Sequence, residues 1–380
     1  MLRDISQSGL AEEGLASWLG DPGRLSVQRA IGELRAGRPV RLQAGSGKSQ
    51  IVAAAETMGG GRLAEWQEKF NAIPALVLPA PRLRHLGFVA TNASHLSLAG
   101  LSAADIDAML FAVSPTLPTI PQRAADVHES IALELVKLAY MLPAAVILPD
   151  TSSHDSSLVV VDAKSVENFH DNSAKELSIA ARAFVPLAEA DQAEFIVFRG
   201  GDGLRDQIAV IVGQPDPSRP VLTRLHSACL TGDLFASLKC DCGDQLRIAI
   251  SEIAETGGGV LLYLDQEGRG IGFVNKMRAY GLQQLGHDTL EADAVLGYGP
   301  DERRYAVASA MLSLLKFPQV ILMTNNPEKL KALESFGISV TGHRRLLGSV
   351  NPHNLSYLTT KAKNAGHMLG EIIRQKLRPL

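Results

Sequence analysis

The chain has 380 residues, of which 46% are hydrophobic and 20% charged, and its formal net charge at pH 7 is -3. This length favours two domains, and the apolar content excludes a wholly disordered chain. The small net charge gives no overall attraction to nucleic acid or to an anionic membrane, and no run approaches the length of an apolar membrane span. The N-terminal residues carry acids where a signal peptide needs a basic and then an apolar region, so we expect a cytoplasmic protein.

Helix and strand patterns alternate along the chain, which indicates an α/β or α+β protein. In the first half, apolar residues at helical spacing predict a helix over 27–34, and Ser102 with Asp105 reads as a capping box before another helix. A longer apolar stripe predicts a helix over 127–142. Short apolar runs predict strands at 40–42, 144–148 and 158–161.

A polar stretch, ENFHDNSAKE at 167–176, has no apolar periodicity and predicts the domain boundary. We therefore assign residues 1–172 to one domain and 173–380 to a second. In the second, apolar runs predict strands at 194–198, 208–212, 221–225, 259–264 and 320–324. Helical spacing predicts helices near 244–255, 275–285, 303–315 and 327–336, and residues 371–380 have the character of a frayed helix.

The three cysteines of the chain, Cys229, Cys240 and Cys242, fall within one 14-residue stretch. Thiolates bind zinc well, and three protein ligands leave open the fourth tetrahedral position that a catalytic zinc site needs. Two alternatives stay open: a structural zinc site completed by a ligand such as His226, and three small apolar side chains in a core. The clustering favours zinc over scattered core cysteines.

Three further polar clusters each allow a functional and a structural interpretation. The segment 265–270, DQEGRG, follows a predicted strand, where α/β proteins bind ligands, but it also suits a tight turn. Residues 301–304, DERR, begin a predicted helix, where acids also complement the helix dipole. Residues 324–327, TNNP, precede a helix with Lys329 in its first turn, which suits phosphate or an Asn-Pro cap.

One nucleotide-binding motif is incomplete. The segment 44–49, AGSGKS, has Leu42 where a P-loop requires its first glycine, so we interpret it as a flexible loop.

Taken together, the C-terminal motifs resemble GTP cyclohydrolase II, which opens the guanine ring of GTP at the head of riboflavin synthesis. The similarity is carried by RLHSACLTGDLFASLKCDCGDQL, LDQEGRGIGFVNKMRAYGLQQLGHDT, GPDERRY and LMTNNPEK, in the family's order and spacing. The resemblance implies a mixed-sheet C-terminal domain that acts on GTP, with one Zn²⁺ per subunit, Mg²⁺ on the GTP phosphates, and a homodimer.

The resemblance also implies roles for single residues. Cys229, Cys240 and Cys242 would bind zinc. Asp301 matches the family's proton acceptor, Arg303 matches the residue assigned as nucleophile on the α-phosphate, and Tyr280 matches a tyrosine tied to completing ring opening. The remaining matches are positions that contact GTP: Arg224, Leu225, His226, Ser227, Ala228, Gln245, Glu267, Gly268, Arg269, Thr289, Thr324 and Lys329.

The residue chemistry fits these roles. Zinc acidifies a bound water, so hydroxide is available at neutral pH to attack C8 of guanine, and a second hydration releases formate. A carboxylate such as Glu267 can accept hydrogen bonds from the guanine edge, and the arginines and Lys329 offset triphosphate charge. Because a protonated arginine is a poor nucleophile, the residue type of Arg303 favours electrostatic stabilisation at phosphorus.

One position departs from the family. A glutamate usually precedes the first cysteine, and this chain has Ala228 there, which removes a negative charge and an acceptor beside the metal. Two alternatives therefore stay open: a related enzyme acting on a different nucleotide or in a different pathway, and a non-catalytic nucleotide-binding paralogue.

The N-terminal domain resembles 3,4-dihydroxy-2-butanone 4-phosphate synthase through RLSVQRAIGELRAGRPVRL, IVAAAETM, GLSAADIDAML and VHESIALELVKLAYMLPAAVI. That family binds Mg²⁺ and substrate with an acidic loop, whereas the matching loop here, 43–50, has no Asp or Glu to serve as ligand. His128 stands at the family's histidine, but Ser130 replaces its glutamate. We expect a domain that keeps the fold, has lost the synthase activity, and serves as a scaffold or in dimerisation.

Overall fold

The computed structural model describes residues 20–45, 47–150, 157–200, 206–346, 348–355 and 359. The chain divides between Phe169 and His170 into two compact units, close to the predicted boundary. Residues 1–20, whose acids speak against a signal peptide, lie outside the described residues apart from Gly20. The frayed helix predicted at 371–380 lies wholly outside them. No helix in the described part of the chain is long and apolar enough to cross a bilayer.

Unit 1, up to Phe169, is built on one seven-stranded sheet within its described residues. Its strands are β1 (Val40–Gln43), β2 (Ser49–Ala54), β3 (Ala75–Leu78), β4 (Ser94–Ser97), β5 (Gln122–Ala124), β6 (Ala145–Pro149) and β7 (Val160–Asp162). Their order is β5-β4-β3-β6-β2-β1-β7, and every neighbouring pair is antiparallel except β1 and β7. The sequence patterns had indicated only β1, β6 and β7.

Within the described residues of unit 1, the α-helices are α1 (Pro22–Arg35), α2 (Gly60–Phe70), α3 (Ala80–His85), α4 (Ala103–Phe111), α5 (Val127–Leu138) and α6 (Ala163–Glu167). The predicted capping box is confirmed, because Ser102 Oγ accepts from Asp105 N and Asp105 Oδ2 accepts from Ser102 N. Asp126 and Glu129 form a second capping box at the start of α5.

The segment after β1 is a hairpin turn. Ala44 N donates to Lys48 O at 2.8 Å, and β2 follows at Ser49. A P-loop is followed by a helix, whereas this segment is followed by a strand, so the structure agrees with the prediction that 44–49 is not a P-loop. Ser46 lies outside the described residues.

A short helix, α7 (Phe169–Lys175), crosses the division between the units. The polar stretch 167–176 is therefore largely helical, which the absence of apolar periodicity had not predicted. The Phe169 side chain is buried and helps to fix the start of this helix, and a single apolar residue gives no periodicity from which to predict it.

Unit 2 contains a second seven-stranded sheet within its described residues, in the order β14-β13-β11-β12-β10-β9-β8. Its strands are β8 (Ser178–Phe184), β9 (Ala193–Arg199), β10 (Gln207–Gly213), β11 (Val221–Ser227), β12 (Gly258–Leu264), β13 (Gln319–Met323) and β14 (Ser339–Arg344). Pairs from β14 to β12 are parallel and pairs from β12 to β8 antiparallel, so the predicted mixed-sheet α/β (α+β) class is confirmed.

Up to residue 346, the α-helices described in unit 2 after α7 are α8 (Leu230–Asp233), α9 (Cys242–Glu255), α10 (Phe273–Gln284), α11 (Thr289–Val295), α12 (Ala306–Leu314) and α13 (Pro327–Ser335). The helix predicted from 303 begins only at Ala306. Residues 301–304 are therefore loop and not a first helical turn, which corrects the interpretation of their charges as dipole partners.

The three central parallel strands of unit 2 explain where a site can form. β11, β12 and β13 end at the same edge of the sheet. The cysteine stretch follows β11, and the polar segments 265–270 and 324–327 follow β12 and β13. Side chains such as Leu225, Leu262 and Leu322 are fully buried in the core beneath that edge. The core thus holds three loops together in the place where α/β sheets commonly bind ligands.

Candidate active site

The three cysteines meet at the end of β11 and the start of α9. Their sulfur atoms lie within 4.8 Å of one another, and the Sγ atoms of Cys229 and Cys240 are 3.6 Å apart. A tetrahedral zinc with bonds of about 2.3 Å puts its sulfurs about 3.8 Å apart, whereas a disulfide needs about 2.05 Å. The group could hold a metal ion, and three isolated core cysteines are excluded.

Gly232 in α8 leaves the space around these sulfurs open. A Cβ at this position would lie 2.7 Å from Cys240 Sγ and 3.1 Å from Cys229 Sγ. A side chain here would press directly on the sulfur cluster. The small residue between the first two cysteines therefore suits a metal centre.

His226 is turned towards a carboxylate and not towards the sulfurs. Its Nε2 lies 3.0 Å from Asp233 Oδ1, and the same carboxylate accepts from Tyr263 Oη and from Cys229 N, each at 2.9 Å. Burial lowers the pKa of His226, although the hydrogen bond and the charge of Asp233 oppose that fall, and a neutral ring protonated on Nε2 would donate to Asp233. His226 does not join the cysteine group among the described residues, so the structure does not support the four-ligand alternative.

Lys276 on α10 contacts the first cysteine directly. Its Nζ donates to Cys229 Sγ at 3.1 Å, to Thr231 Oγ1 at 3.0 Å and to Glu267 Oε1 at 2.8 Å. Burial lowers the pKa of Lys276, but the charges of Cys229 and Glu267 raise it by more, so the ammonium stays charged. Sequence reasoning missed this residue. Its spacing of four from Tyr280, on one face of α10, was the available signal.

Glu267 is buried after β12 and is already well supplied with donors. Oε2 accepts from Leu230 N at 2.7 Å, while Oε1 accepts from Gly268 N at 3.0 Å and from Lys276. A carboxylate offers about four acceptor positions, so one remains for a ligand. Glu267 therefore supports the cysteine loop as well as facing the cavity.

Two buried cationic residues, Arg224 and Lys329, also line the cavity. Arg224 Nη1 donates to Met323 O at 2.8 Å and Nη2 to Gln245 Oε1 at 2.6 Å, and burial lowers its pKa to about 10. Lys329 Nζ donates to Leu225 O at 2.9 Å. Arg224 therefore stays positively charged at neutral pH, and a guanidinium favours an anionic ligand.

Asp301 and Arg303 form a close pair in the loop before α12. Arg303 Nε donates to Asp301 Oδ1 at 2.8 Å, and its Nη2 donates to Oδ2 at 2.5 Å. Burial alone would raise the pKa of Asp301, but the hydrogen bonds from Arg303 bring it below its ordinary value. The carboxylate and the guanidinium are thus both charged.

Arg269 adopts a left-handed backbone conformation, with φ 62°, after Gly268 at φ 61°. Its guanidinium pairs with Asp293 and donates to Pro300 O at 3.1 Å. Burial raises the pKa of Asp293 to about 7, although the positive charge of Arg269 opposes that rise. Thr289, at the start of α11, lies beside this pair.

These groups line one cavity of about 410 Å³, which is within the size range of small-molecule sites. The three cysteines line it, and so do all the other predicted site residues apart from Leu225. These others are Arg224, His226, Ser227, Ala228, Gln245, Glu267, Gly268, Arg269, Tyr280, Thr289, Asp301, Arg303, Thr324 and Lys329. The Leu225 side chain lies in the core, and its carbonyl oxygen anchors Lys329. The neighbouring Ala228 does line the cavity, and its N donates to Leu264 O.

Comparison with known proteins agrees with this geometry. A family model described as GTP cyclohydrolase II matches residues 179–345. A GTP cyclohydrolase-2 from Xylella fastidiosa (strain Temecula1) is 40% identical over 354 residues, which cover 92% of this chain and 89% of that protein. The chain belongs to the GTP cyclohydrolase II family. The resemblance inferred from the C-terminal motifs is thereby confirmed.

Some members of this family match nearly the whole of this chain, and others match less than half of it. A GTP cyclohydrolase-2 from Azospirillum brasilense is 39% identical over 361 residues, covering 90% of this chain and 94% of its own. One from Azotobacter vinelandii is 53% identical over 168 residues, covering 44% of this chain and 81% of its own. The longer matches extend well into unit 1. Some proteins of the family therefore share both units with this chain.

Among solved structures, a two-domain 3,4-dihydroxy-2-butanone 4-phosphate synthase from A. baumannii matches with a TM-score of 0.32 and 15% identity. The match covers 85% of this chain and 99% of that one. A TM-score this low is insufficient to establish a shared architecture.

Proposed function

We propose that the protein is a zinc-dependent GTP cyclohydrolase II. It would hydrolyse GTP to 2,5-diamino-6-ribosylamino-4(3H)-pyrimidinone 5′-phosphate, formate and pyrophosphate, the first step of riboflavin synthesis. The observation that carries the proposal is the meeting of three cysteine sulfurs with arginine and lysine cations in one cavity. Thiolates suit zinc, and the cations suit a triphosphate.

Cys229, Cys240 and Cys242 would hold the zinc. Their sulfur spacing matches tetrahedral coordination with one position left open. When bound, the metal would supply a hydroxide at neutral pH for attack on C8 of guanine.

Glu267 would read the guanine edge. Glu267 lines the cavity, and Leu230 N, Gly268 N and Lys276 occupy three of its acceptor positions, which leaves one for a ligand. A carboxylate held by three donors is fixed in orientation before the ligand arrives, which lowers the entropy cost of binding. Tyr280 lines the same cavity, where it would assist completion of ring opening.

Arg224, Arg269 and Lys329 would offset the phosphate charge, with Thr289 and Thr324 as neutral donors beside them. Arg303 would act on the α-phosphate as a cation. Its guanidinium is paired with the ionised Asp301, and this pairing holds the proton that a nucleophilic role would require it to lose. The geometry therefore supports electrostatic stabilisation by Arg303, with Asp301 keeping the guanidinium in place.

The proposal includes Mg²⁺ on the phosphates, a homodimer and a cytoplasmic location. Mg²⁺ commonly accompanies nucleotide phosphates in enzyme sites. None of the three cysteines forms a disulfide, which agrees with a reducing compartment. The homodimer follows from the family resemblance, and light scattering on the purified protein would measure it.

The test is to add GTP and Mg²⁺ to zinc-loaded protein and to assay formate and pyrophosphate. We expect both products from GTP and neither from ATP or pyrimidine nucleotides. Formate release from another nucleotide in place of GTP would support the alternative that Ala228 keeps open. Binding of GTP without any formate release would indicate the non-catalytic alternative.

For unit 1, we propose a 3,4-dihydroxy-2-butanone 4-phosphate synthase-like domain, residues 1–172, that has lost its activity. The hairpin turn at 44–48 carries no acid, and its Lys48 pairs with Asp126 at 2.5 Å. Glu129 is buried against Arg123 and His95, so it is not available to a Mg²⁺ ion in this arrangement. Ribulose 5-phosphate with Mg²⁺ should give no butanone phosphate. Measurable turnover would contradict the proposal.

A further inference from the structure

Lys276 is a buried cation that the proposed chemistry does not use. It lies on α10, four residues before Tyr280, and its side chain is 9% exposed. All three of its hydrogen-bond distances to Cys229, Thr231 and Glu267 are between 2.8 and 3.1 Å. An ammonium has three protons, so this set satisfies it completely.

The partners of Lys276 form one connected structure. Cys229 and Thr231 belong to the turn that carries the first sulfur, and Glu267 lies in the segment after β12. Glu267 returns to the same turn by accepting from Leu230 N at 2.7 Å. The turn 229–231 is therefore held at three consecutive residues by the Lys276–Glu267 pair.

Charge explains why a cation is needed at this point. The Cys229 sulfur and the Glu267 carboxylate both lie within hydrogen-bond reach of the buried Lys276 Nζ, and a sulfur that ligates zinc is a thiolate. Without that ammonium, two buried anions would face each other, and their repulsion would be weakly screened. Of these contacts, the turn would then keep only the hydrogen bond from Leu230 N to Glu267, and the Cys229 sulfur would be held less firmly in place.

We propose that Lys276 is a positioning residue for the metal centre, which holds the 229–231 turn so that the Cys229 sulfur stays in place to ligate zinc. This inference rests on the proposed function for the identity of the metal. Partners that orient metal ligands typically contribute about ten- to a hundredfold to metal affinity.

The experiment measures zinc release from the full-length protein into a chromogenic chelator, in the absence of GTP. Lys276→Met keeps the length of the side chain and removes its charge, and we expect zinc to leave at least about tenfold faster. Lys276→Arg keeps the charge and should release zinc at a rate between those of Lys276→Met and the unsubstituted protein. Excess zinc should restore part of the lost turnover of Lys276→Met.

The matched control is Lys239→Met. Lys239 also lies over the Tyr280 ring, at 4.7 Å from its centroid, but it is exposed. Its zinc release should stay close to that of the unsubstituted protein. Equal acceleration in both methionine variants would overturn the proposal, because the effect would then come from the loop in general or from the tyrosine.

Two further results would also overturn it: unchanged release in a folded Lys276→Met protein, and slower release, which would mean that the cation only weakens sulfur donation. Should Lys276→Met fail to fold by circular dichroism, Thr231→Val removes a single partner of the ammonium and should give a smaller acceleration. Formate release by the unsubstituted enzyme is measured separately. If the unsubstituted enzyme releases no formate from GTP, the proposed function is rejected, while the comparison of zinc-release rates stays valid.

Discussion

Two buried arginines show how the units differ. In unit 1, Arg82 donates to the carbonyl oxygens of Met109 and Ala112, each at 2.9 Å, at the end of α4. In unit 2, Arg224 donates to one carbonyl and to Gln245, and it lines the cavity. Burial lowers the pKa of each arginine to about 10. One guanidinium serves a helix end, while the other faces a ligand site.

The carboxylates differ in the same way. Glu129 of unit 1 is enclosed by Arg123, His95 and a capping box. Glu267 of unit 2 is equally buried, yet it keeps a face on the cavity beside the cysteines. Buried charge alone therefore does not identify a site. In unit 2, Arg224, Glu267 and Lys329 line one cavity, whereas Glu129 of unit 1 is enclosed by Arg123 and His95.

The largest expected effect is on the metal centre. Cys240→Ser should lose zinc and ring opening together, with formate release falling by at least about a thousandfold, because a serine hydroxyl is a poor zinc ligand at neutral pH. Zinc content and formate are the measurements. Trp18 and Trp66 both precede residue 170, so tryptophan fluorescence reports on unit 1 and should not change. Full activity after stoichiometric zinc loss would refute the mechanism.

Arg303→Lys tests the cation at the phosphate. Lysine keeps the charge but loses the planar two-point pairing with Asp301, so kcat should fall by about a hundredfold. The matched control is Arg304→Lys, because Arg304 is the next residue, is exposed, and does not line the cavity. Equal losses in both variants would show that the loop, and not the guanidinium of Arg303, is responsible.

Glu129→Gln tests whether the paired charges of unit 1 are structural. The free energy of unfolding of unit 1, followed by tryptophan fluorescence in urea, should fall by about 1–3 kcal/mol as the charged hydrogen bonds weaken. Formate release should not change. Glu134→Gln, at a half-buried ion pair on the same helix, should cost no more than about 0.5 kcal/mol. A large loss of GTP turnover in Glu129→Gln would contradict the view that Glu129 has only a structural role in unit 1.

Ala228→Glu should have the smallest effect. It restores an acceptor for guanine donors beside the first cysteine, so KM for GTP should fall by a few-fold up to about tenfold. Zinc content should stay at that of the unsubstituted protein. Ala228→Gln, with the same length and no charge, separates the contribution of charge from that of size. A rise in KM for the glutamate variant would mean that this chain has adapted its cavity to alanine.

Local patterns predicted much of unit 2 but little of the sheet in unit 1. Strands such as β12 are continuous apolar runs that end in polar loops, and those runs are recognisable in sequence. β4 and β5 are short and carry polar residues, so their pairing depends on neighbours distant in the chain. Among site residues, the cysteines were found by spacing, while Lys276 was missed because a lone lysine in a helix usually faces solvent.

The sequence by itself predicted the family, a group of three cysteines able to hold a metal, and most of the residues that line the cavity. These features depend on side-chain chemistry and on order along the chain. Only the tertiary structure decided which polar and charged side chains are already paired within the protein and which can still contact a ligand. His226 is directed to Asp233, Arg303 is held by Asp301, and Glu267 is shared between the cavity and Lys276. Such pairings join residues from different elements, and hydrogen bonds depend on distances of a few tenths of an ångström, which sequence spacing does not specify.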